Sequence, residues 1–188
     1  ICEHFHLPLQ SGSNRILKQM HRGYTREDYM ELVQYIKEQV PGASVTTDII
    51  VGFPGETDED FEDTLDLIEQ LRLDGAFTFI YSPRAGTAAA RMANQIPRKV
   101  KSDRLQALVK VQNEITQDIN KSLIGTIQEV LIEEPDLRNP QYYRGRTRTN
   151  KLVVCTSEGP RPGDLVKVRI EQAGTWHLKG PVPEAGQD

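Results

Sequence analysis

The stretch Asp48-Ile49-Ile50-Val51-Gly52-Phe53-Pro54-Gly55-Glu56-Thr57 leaves the chain around it one local solution: a buried strand, a sharp turn and a capped helix. Ile49, Ile50 and Val51 are apolar and β-branched without clean alternation, the pattern of a parallel strand covered on both faces. Gly52 and Gly55 permit the tight turn, and Pro54 ends strand pairing. Thr57 and Asp60 then spell a capping box, and Phe61, Leu65, Ile68 and Leu71 give the helix its apolar face. Glu56 is read as charge for the helix N-terminus. Asp48 has two readings. A carboxylate inside an apolar strand is either paired in the core or aimed at a polar ligand near the strand end.

The same local grammar recurs on both sides. Residues 3 to 8 read as a strand and 9 to 14 as a polar turn, followed by a short helix carrying Ile16, Leu17 and Met20 that Gly23 stops. Thr25 and Asp28 cap the next helix, with Tyr29, Leu32, Val33 and Ile36 as its apolar side, and Pro41-Gly42 ends it. Ala76 to Tyr81 reads as a third strand. Strands alternating with helices predict a parallel sheet whose strand-end turns open on one edge. Three such strands are less than half of a closed eight-stranded barrel. With Ile1 as first residue and a strand beginning almost at once, the chain is expected to be a piece of a longer protein.

After the turn-rich segment 82–87 and an alanine-rich stretch read as a short helix to Met92, a long amphipathic helix is predicted from about Val100 to Lys121. Its spacing uses Leu105, Leu108, Val109, Gln112, Ile115 and Ile119, and it is expected to pack across the first domain. From Thr126 the period changes to five short strands, Ile127–Ile132, Tyr142–Arg148, Leu152–Cys155, Leu165–Ile170 and Trp176–Leu178, with a frayed tail from Pro181. The expected organisation is therefore α/β, a partial (β/α) barrel over residues 1–97, a linking helix over 98–123 and a small all-β barrel over 124–188.

With 37% apolar and 27% charged residues and a net charge of -4, the chain has the composition of a soluble globular protein and not of a wholly basic nucleic-acid coat. Within that acidic balance, no Asp or Glu falls between Leu137 and Ser157, while Arg138, Arg144, Arg146, Arg148 and Lys151 do, beside Tyr142 and Tyr143. On a strand, Arg144, Arg146 and Arg148 share one face, which suits an RNA backbone with stacked bases; the alternative is a solvated strand face. Cys2 and Cys155 form neither a C-x-x-C pair nor a disulfide framework, as expected of a cytoplasmic protein. His4, His6 and His21 lack a third ligand at metal-site spacing and read as structural or solvent-facing. Gly52-Phe53-Pro54-Gly55 follows a strand, which argues against a KH loop, and no Lys-Ser or Lys-Thr follows it, which argues against a P-loop.

Four segments carry a resemblance: His6-Leu7-Pro8-Leu9-Gln10-Ser11-Gly12-Ser13, Met20-His21-Arg22-Gly23-Tyr24-Thr25-Arg26, Thr47 to Thr57, and Tyr81-Ser82-Pro83-Arg84-Ala85-Gly86-Thr87. Together they resemble the later half of a radical SAM methylthiotransferase, and Gly145-Arg146-Thr147-Arg148-Thr149-Asn150 with the predicted small β domain resembles the RNA-binding, OB-like TRAM domain that closes these enzymes. The resemblance implies a partial barrel of the radical SAM type. It implies S-adenosylmethionine and [4Fe–4S] clusters as cofactors, the anticodon stem-loop of a tRNA as substrate, and sulfur-donor or cluster-assembly proteins as partners. By the same resemblance Gln10 matches the position that binds the ribose, Arg22 the position that holds the methionine carboxylate, and Asp48 a polar position in the cofactor site, with Val51 and Gly52 against the adenine. An amide can both donate to and accept from ribose hydroxyls, and a guanidinium forks onto a carboxylate. Two departures stand out. The G-x-I-x-G-x-x-E pattern is met with Asp48 at its first position and Gly55 at its last, and no C-x-x-x-C-x-x-C occurs, so the three thiolates that hold the cluster are absent from this chain. A non-enzymatic RNA-binding protein with a barrel remnant, or a methylthiotransferase for another tRNA base or a ribosomal protein, are the competing readings.

Overall fold

A computed structural model describes residues 1–136, 139, 141–156 and 160–183. The chain divides into two compact units, one of residues 5–115 and one of residues 1–4 with the segment from Thr116 onward.

The unit of residues 5–115 is built on a three-stranded sheet in the order β1 (His4–His6), β2 (Ser44–Val51), β3 (Gly75–Ile80). β2 and β3 are parallel, with Asp48 opposite Phe77 and Ile50 opposite Phe79. Helices α1 (Asn14–Gln19), α2 (Arg26–Gln39) and α3 (Asp58–Leu71) fill the connections, as the alternating pattern predicts. Both capping boxes form: Thr25 with Asp28 opens α2 and Thr57 with Asp60 opens α3, each pair satisfying two backbone N–H groups that a helix start leaves orphaned. α2 ends at Gln39, before Pro41-Gly42, and α3 ends at Arg72 in the left-handed conformation.

Four local expectations are corrected. β2 alternates: Val45, Thr47, Ile49 and Val51 are buried, while Thr46, Asp48 and Ile50 are only half-buried, so one face is covered and the other is partly open. β-branching fills both faces of a strand equally well, and the run of apolar letters therefore hid the alternation. On α2 Leu32 is exposed, and on α3 the buried stripe runs through Phe61, Thr64, Leu67 and Ile68, with Leu65 and Leu71 at its half-buried margin. The short helix expected to end at Met92 is a single 3₁₀ turn at Ala89–Arg91. The long helix, α4 (Arg98–Lys121), starts one turn earlier in character than its apolar letters suggest, because its buried stripe is Lys101, Arg104, Leu108, Gln112 and Ile115.

The other unit carries six strands: β4 (Ile127–Pro135), β5 (Tyr142–Thr147), β6 (Leu152–Thr156), β7 (Leu165–Arg169), β8 (Gln172–Ala173) and β9 (Leu178–Pro181), in the sheet order β7-β4-β5-β6-β9-β8. β7 and β8 lie at opposite ends of that order yet are separated only by Ile170 and Glu171, so the sheet has to curl until its edges meet. Gly180 marks the meeting: a Cβ there would stand 1.7 Å from the Arg169 carbonyl oxygen. Inside lie Val130, Ile132, Val153, Cys155, Val168, Ile170 and Leu178. The last strand differs from expectation. Trp176 is 74% exposed and lies outside any strand, and pairing runs instead from Leu178 to Pro181, the residue at which a frayed tail is predicted to begin. Arg138 and residues 184–188, parts of the predicted basic stretch and tail, lie outside the described residues. No helix of the described residues is long and apolar enough to cross a membrane.

Candidate functional site

The strand ends of the first unit converge on a cavity of about 490 Å³ lined by Gln10, Asp48, Ile50, Phe79, Tyr81 and Arg84 among others. Gln10 is set there by backbone and not by its side chain. Its N–H donates to the Asp48 carbonyl at 2.8 Å and its own carbonyl accepts from Ile50 N–H at 3.0 Å, locking the residue at φ +75°. A non-glycine residue held in the left-handed region costs on the order of 1–3 kcal/mol, and such strain gathers at ligand sites. Gln10 is buried, and its carboxamide makes no hydrogen bond among the described residues. Tyr81 also borders the cavity, while its ring packs against Phe53 and under Lys101 and its hydroxyl is buried with no hydrogen-bond partner among the described residues. Asp48 projects from the half-open face, 3.4 Å from His6 Nε2.

The turn after Gln10 is tied to the start of α3. Asp60 accepts from Ser13 Oγ at 2.7 Å, from Arg15 through Nε at 3.1 Å and through Nη2, and from Thr57 N–H at 2.7 Å, while Gly12 N–H donates to Thr64 Oγ1 at 2.9 Å. Burial alone would raise the Asp60 carboxyl, but the hydrogen bonds from Arg15, Ser13 and Thr57 outweigh it and hold the group well below the usual carboxylate range.

Val51 and Gly52 are buried and are not among the cavity-lining residues. Gly52, at φ +72°, has its open side filled by the Lys101 stem, whose Cγ stands 2.4 Å from where a Cβ would be. Its N–H donates at 2.7 Å to Glu56 Oε2. That corrects the reading of Glu56 as surface charge at a helix start: the carboxylate is buried and receives Arg104 Nη1 at 2.7 Å. Arg104 also donates to the Glu56 carbonyl at 3.1 Å and to Asp58 at 2.7 Å, and it lies over the Phe61 ring. Lys101 donates to the Tyr81 carbonyl at 3.1 Å and sits 5.0 Å from the Tyr81 ring centroid. Burial pushes the Glu56 carboxyl up, against the opposing pull of Gly52 N–H and Arg104. Arg104 and Lys101 were legible only as basic letters on the helical spacing of Leu108, Gln112 and Ile115, the one signal that they face inward.

Arg22 is exposed and does not line the cavity. Its charge acts on Tyr24, whose hydroxyl donates to the Pro8 and Leu9 carbonyls at 3.0 and 3.1 Å, immediately before Gln10.

In the barrel, β5 turns Arg144 and Arg146 outward and Gly145 and Thr147 inward, and Arg148 falls beyond the strand. The expected stripe is not a bare cationic face. Acids from β4, from the residue after it and from the N-terminal segment lie alongside: Arg146 meets Glu133 at 3.5 Å, Arg144 meets Asp136 at 3.0 Å, and Arg148 meets Glu129 at 3.5 Å and Glu3. Lys151 is half-buried at the turn after β5.

Parallel strand ends converging on a strained polar residue, followed by a small curled β-sheet, define a partial α/β barrel with an appended all-β domain. The radical SAM superfamily model matches residues 1–68 and the TRAM domain model residues 121–182. The chain is 54% identical over 180 residues to a tRNA-2-methylthio-N(6)-dimethylallyladenosine synthase of Moorella thermoacetica, covering 96% of this chain and 40% of the relative. It is 53% identical over 186 residues to the protein of that name from Desulforamulus reducens, covering 99% and 41%. In fold it is similar to the Escherichia coli radical SAM enzyme coproporphyrinogen III oxidase, with a TM-score of 0.51 at 16% identity over 78% of this chain and 41% of that one. The chain thus carries a radical SAM superfamily match and a TRAM match, is similar to tRNA methylthio synthases, and spans about 40% of the length of the curated relatives it matches. Members of the radical SAM family use S-adenosylmethionine and [4Fe–4S] clusters.

Proposed function

We propose that this chain is part of a cytoplasmic tRNA-2-methylthio-N(6)-dimethylallyladenosine synthase, supplying strand ends that hold S-adenosylmethionine and a barrel that holds the tRNA anticodon stem-loop. The substrate is isopentenylated adenosine next to the anticodon, which receives a methylthio group. The observation that carries this reading is the cavity in which Gln10, strained and unbonded at its carboxamide, stands beside Asp48. A carboxamide with free donor and acceptor atoms suits the hydroxyls of a ribose. Asp48 provides a second acceptor, Arg22 forks onto the methionine carboxylate, and the backbone at Val51 and Gly52 shapes the adenine side. Bound next to a cluster, S-adenosylmethionine supplies the radical chemistry; the contribution of these residues is position. Arg144, Arg146, Arg148 and Lys151 exchange their carboxylate partners for RNA phosphates.

The iron–sulfur group does not fit the residues present. Cys2 and Cys155 are the two cysteines, and Cys155 is wholly buried, with burial pushing its thiol up and away from the thiolate that iron requires. No step is therefore assigned to a cluster on this chain, and alone it is inactive in methylthiolation. After anaerobic iron–sulfur reconstitution, the 188-residue chain should carry far less than one cluster yet bind tRNA in low salt with an affinity that falls steeply as salt rises. Cluster absorbance matching about four iron per chain, or failure to retain tRNA in a low-salt filter-binding series, would overturn this assignment.

A further inference from the structure

The outer face of β5, β6 and β9, within the TRAM match, carries a groove. Register places Arg144 opposite Val154 and Val154 opposite Lys179, and the next row sets Tyr142 opposite Thr156 and Thr156 opposite Pro181. Two adjoining hollows of about 410 and 240 Å³ lie over these rows and share Tyr142, Val154 and Lys179 as lining. His177 and Arg144 line the larger. Lys179 is exposed, and its ammonium group makes no ion pair or hydrogen bond among the described residues, unlike the arginines of β5, which carboxylates already engage. The local potential is positive enough to be felt: burial, then Lys179 and Arg144, hold the His177 imidazole below its ordinary value. Among the described residues the acids near the groove are Asp136 and Glu134, which engage Arg144 at 3.0 and 3.9 Å, and Glu171, which lines the smaller hollow. Beside His177 stands Trp176, 74% exposed on the β8–β9 hairpin. The hairpin tip is braced, since Gly174 N–H donates to the His177 carbonyl at 2.9 Å and Asn120 Nδ2 donates to the Gly174 and Thr175 carbonyls at 2.9 and 3.1 Å.

An exposed indole on a braced hairpin, one residue before groove-lining His177, together with the unpaired Lys179 ammonium in the groove supplies a stacking platform and a phosphate contact. We propose that single-stranded RNA enters the barrel surface along this groove, with a phosphate on Lys179 and Arg144 and a base stacked on Trp176. The inference rests on the RNA-binding reading above and moves its centre from the carboxylate-paired arginines of β5 to Lys179 and Trp176.

Trp176 is the one tryptophan of the chain, so its emission reports the groove directly. A labelled unstructured RNA heptamer, titrated into the 188-residue chain, should quench that emission along the same curve that anisotropy of the label gives. By anisotropy, Trp176→Ala should weaken binding roughly tenfold. Lys179→Gln should lower the slope of log affinity against log salt by about 0.7, whereas Arg148→Gln, away from the groove, should weaken binding less than Trp176→Ala. All three side chains are exposed, and an unchanged melting curve confirms that each variant folds. RNA binding without quenching, and unaffected by Trp176→Ala and Lys179→Gln, would refute the groove and leave the RNA-binding reading intact. An unbound heptamer together with unbound tRNA would remove both.

Discussion

Replacing Arg104 with alanine should destabilise the strand-helix unit by about 3–5 kcal/mol, the cost of leaving a buried carboxylate without its cation. The guanidinium is 7% exposed and its Glu56 partner 1%, so neither charge has water to fall back on. The loss should show in urea unfolding followed at 222 nm, where the helices dominate; Trp176 emission follows the barrel separately, as a chain of two units requires. The pH dependence has a definite sign. Burial pushes the Glu56 carboxyl above its unfolded value, so the folded state binds its proton more tightly, and Glu56 contributes most at low pH and less as pH rises through the folded value. Without Arg104 only the Gly52 N–H still opposes that upward push, and the deficit of the variant should be larger at pH 7 than at pH 5. Glu56→Gln added to Arg104→Ala should recover part of the loss, because an uncharged amide still accepts the Gly52 N–H.

Asp60→Ala should cost about 3 kcal/mol, because charge-assisted hydrogen bonds from Ser13 and Arg15 and half of a capping box vanish together. Here the sign is opposite. The folded carboxyl lies below the unfolded value near 3.9, so its contribution is complete above that value and is lost as pH falls through the folded one. Wild type and variant should therefore converge in stability as pH drops below about 4. Chemical denaturation at a series of pH values checks this, and a difference that stayed constant down to pH 2 would mean that folding does not lower the Asp60 carboxyl.

How much of this was legible follows from which interactions are local. The capping boxes at Thr25 and Thr57 join residues three apart, and both form as the letters predict. The strand-helix alternation and the change to short strands after Thr126 were equally readable, since periodicity is a property of consecutive residues. What failed to show was pairing across sequence distance. Glu56 meets Arg104 48 positions away, and the arginines of β5 meet acids on β4 and just after it that a linear charge count assigns to another segment. Gln10 was legible by resemblance, but its left-handed backbone was not, because two bonds to β2 impose a conformation that glutamine does not choose. The β8–β9 hairpin was missed for a related reason: two-residue strands have no period to read.

The claim at the centre is that the strand-end cavity binds S-adenosylmethionine through Gln10. Nuclear magnetic resonance of the isotope-labelled chain tests it without requiring tight binding or a cluster. On titration with S-adenosylmethionine, the Gln10 carboxamide and the Ile50 amide should shift and saturate along one curve, while the Trp176 indole N–H stays in place. A Gln10 carboxamide that does not move at saturating ligand, or shifts confined to the barrel, would contradict the account.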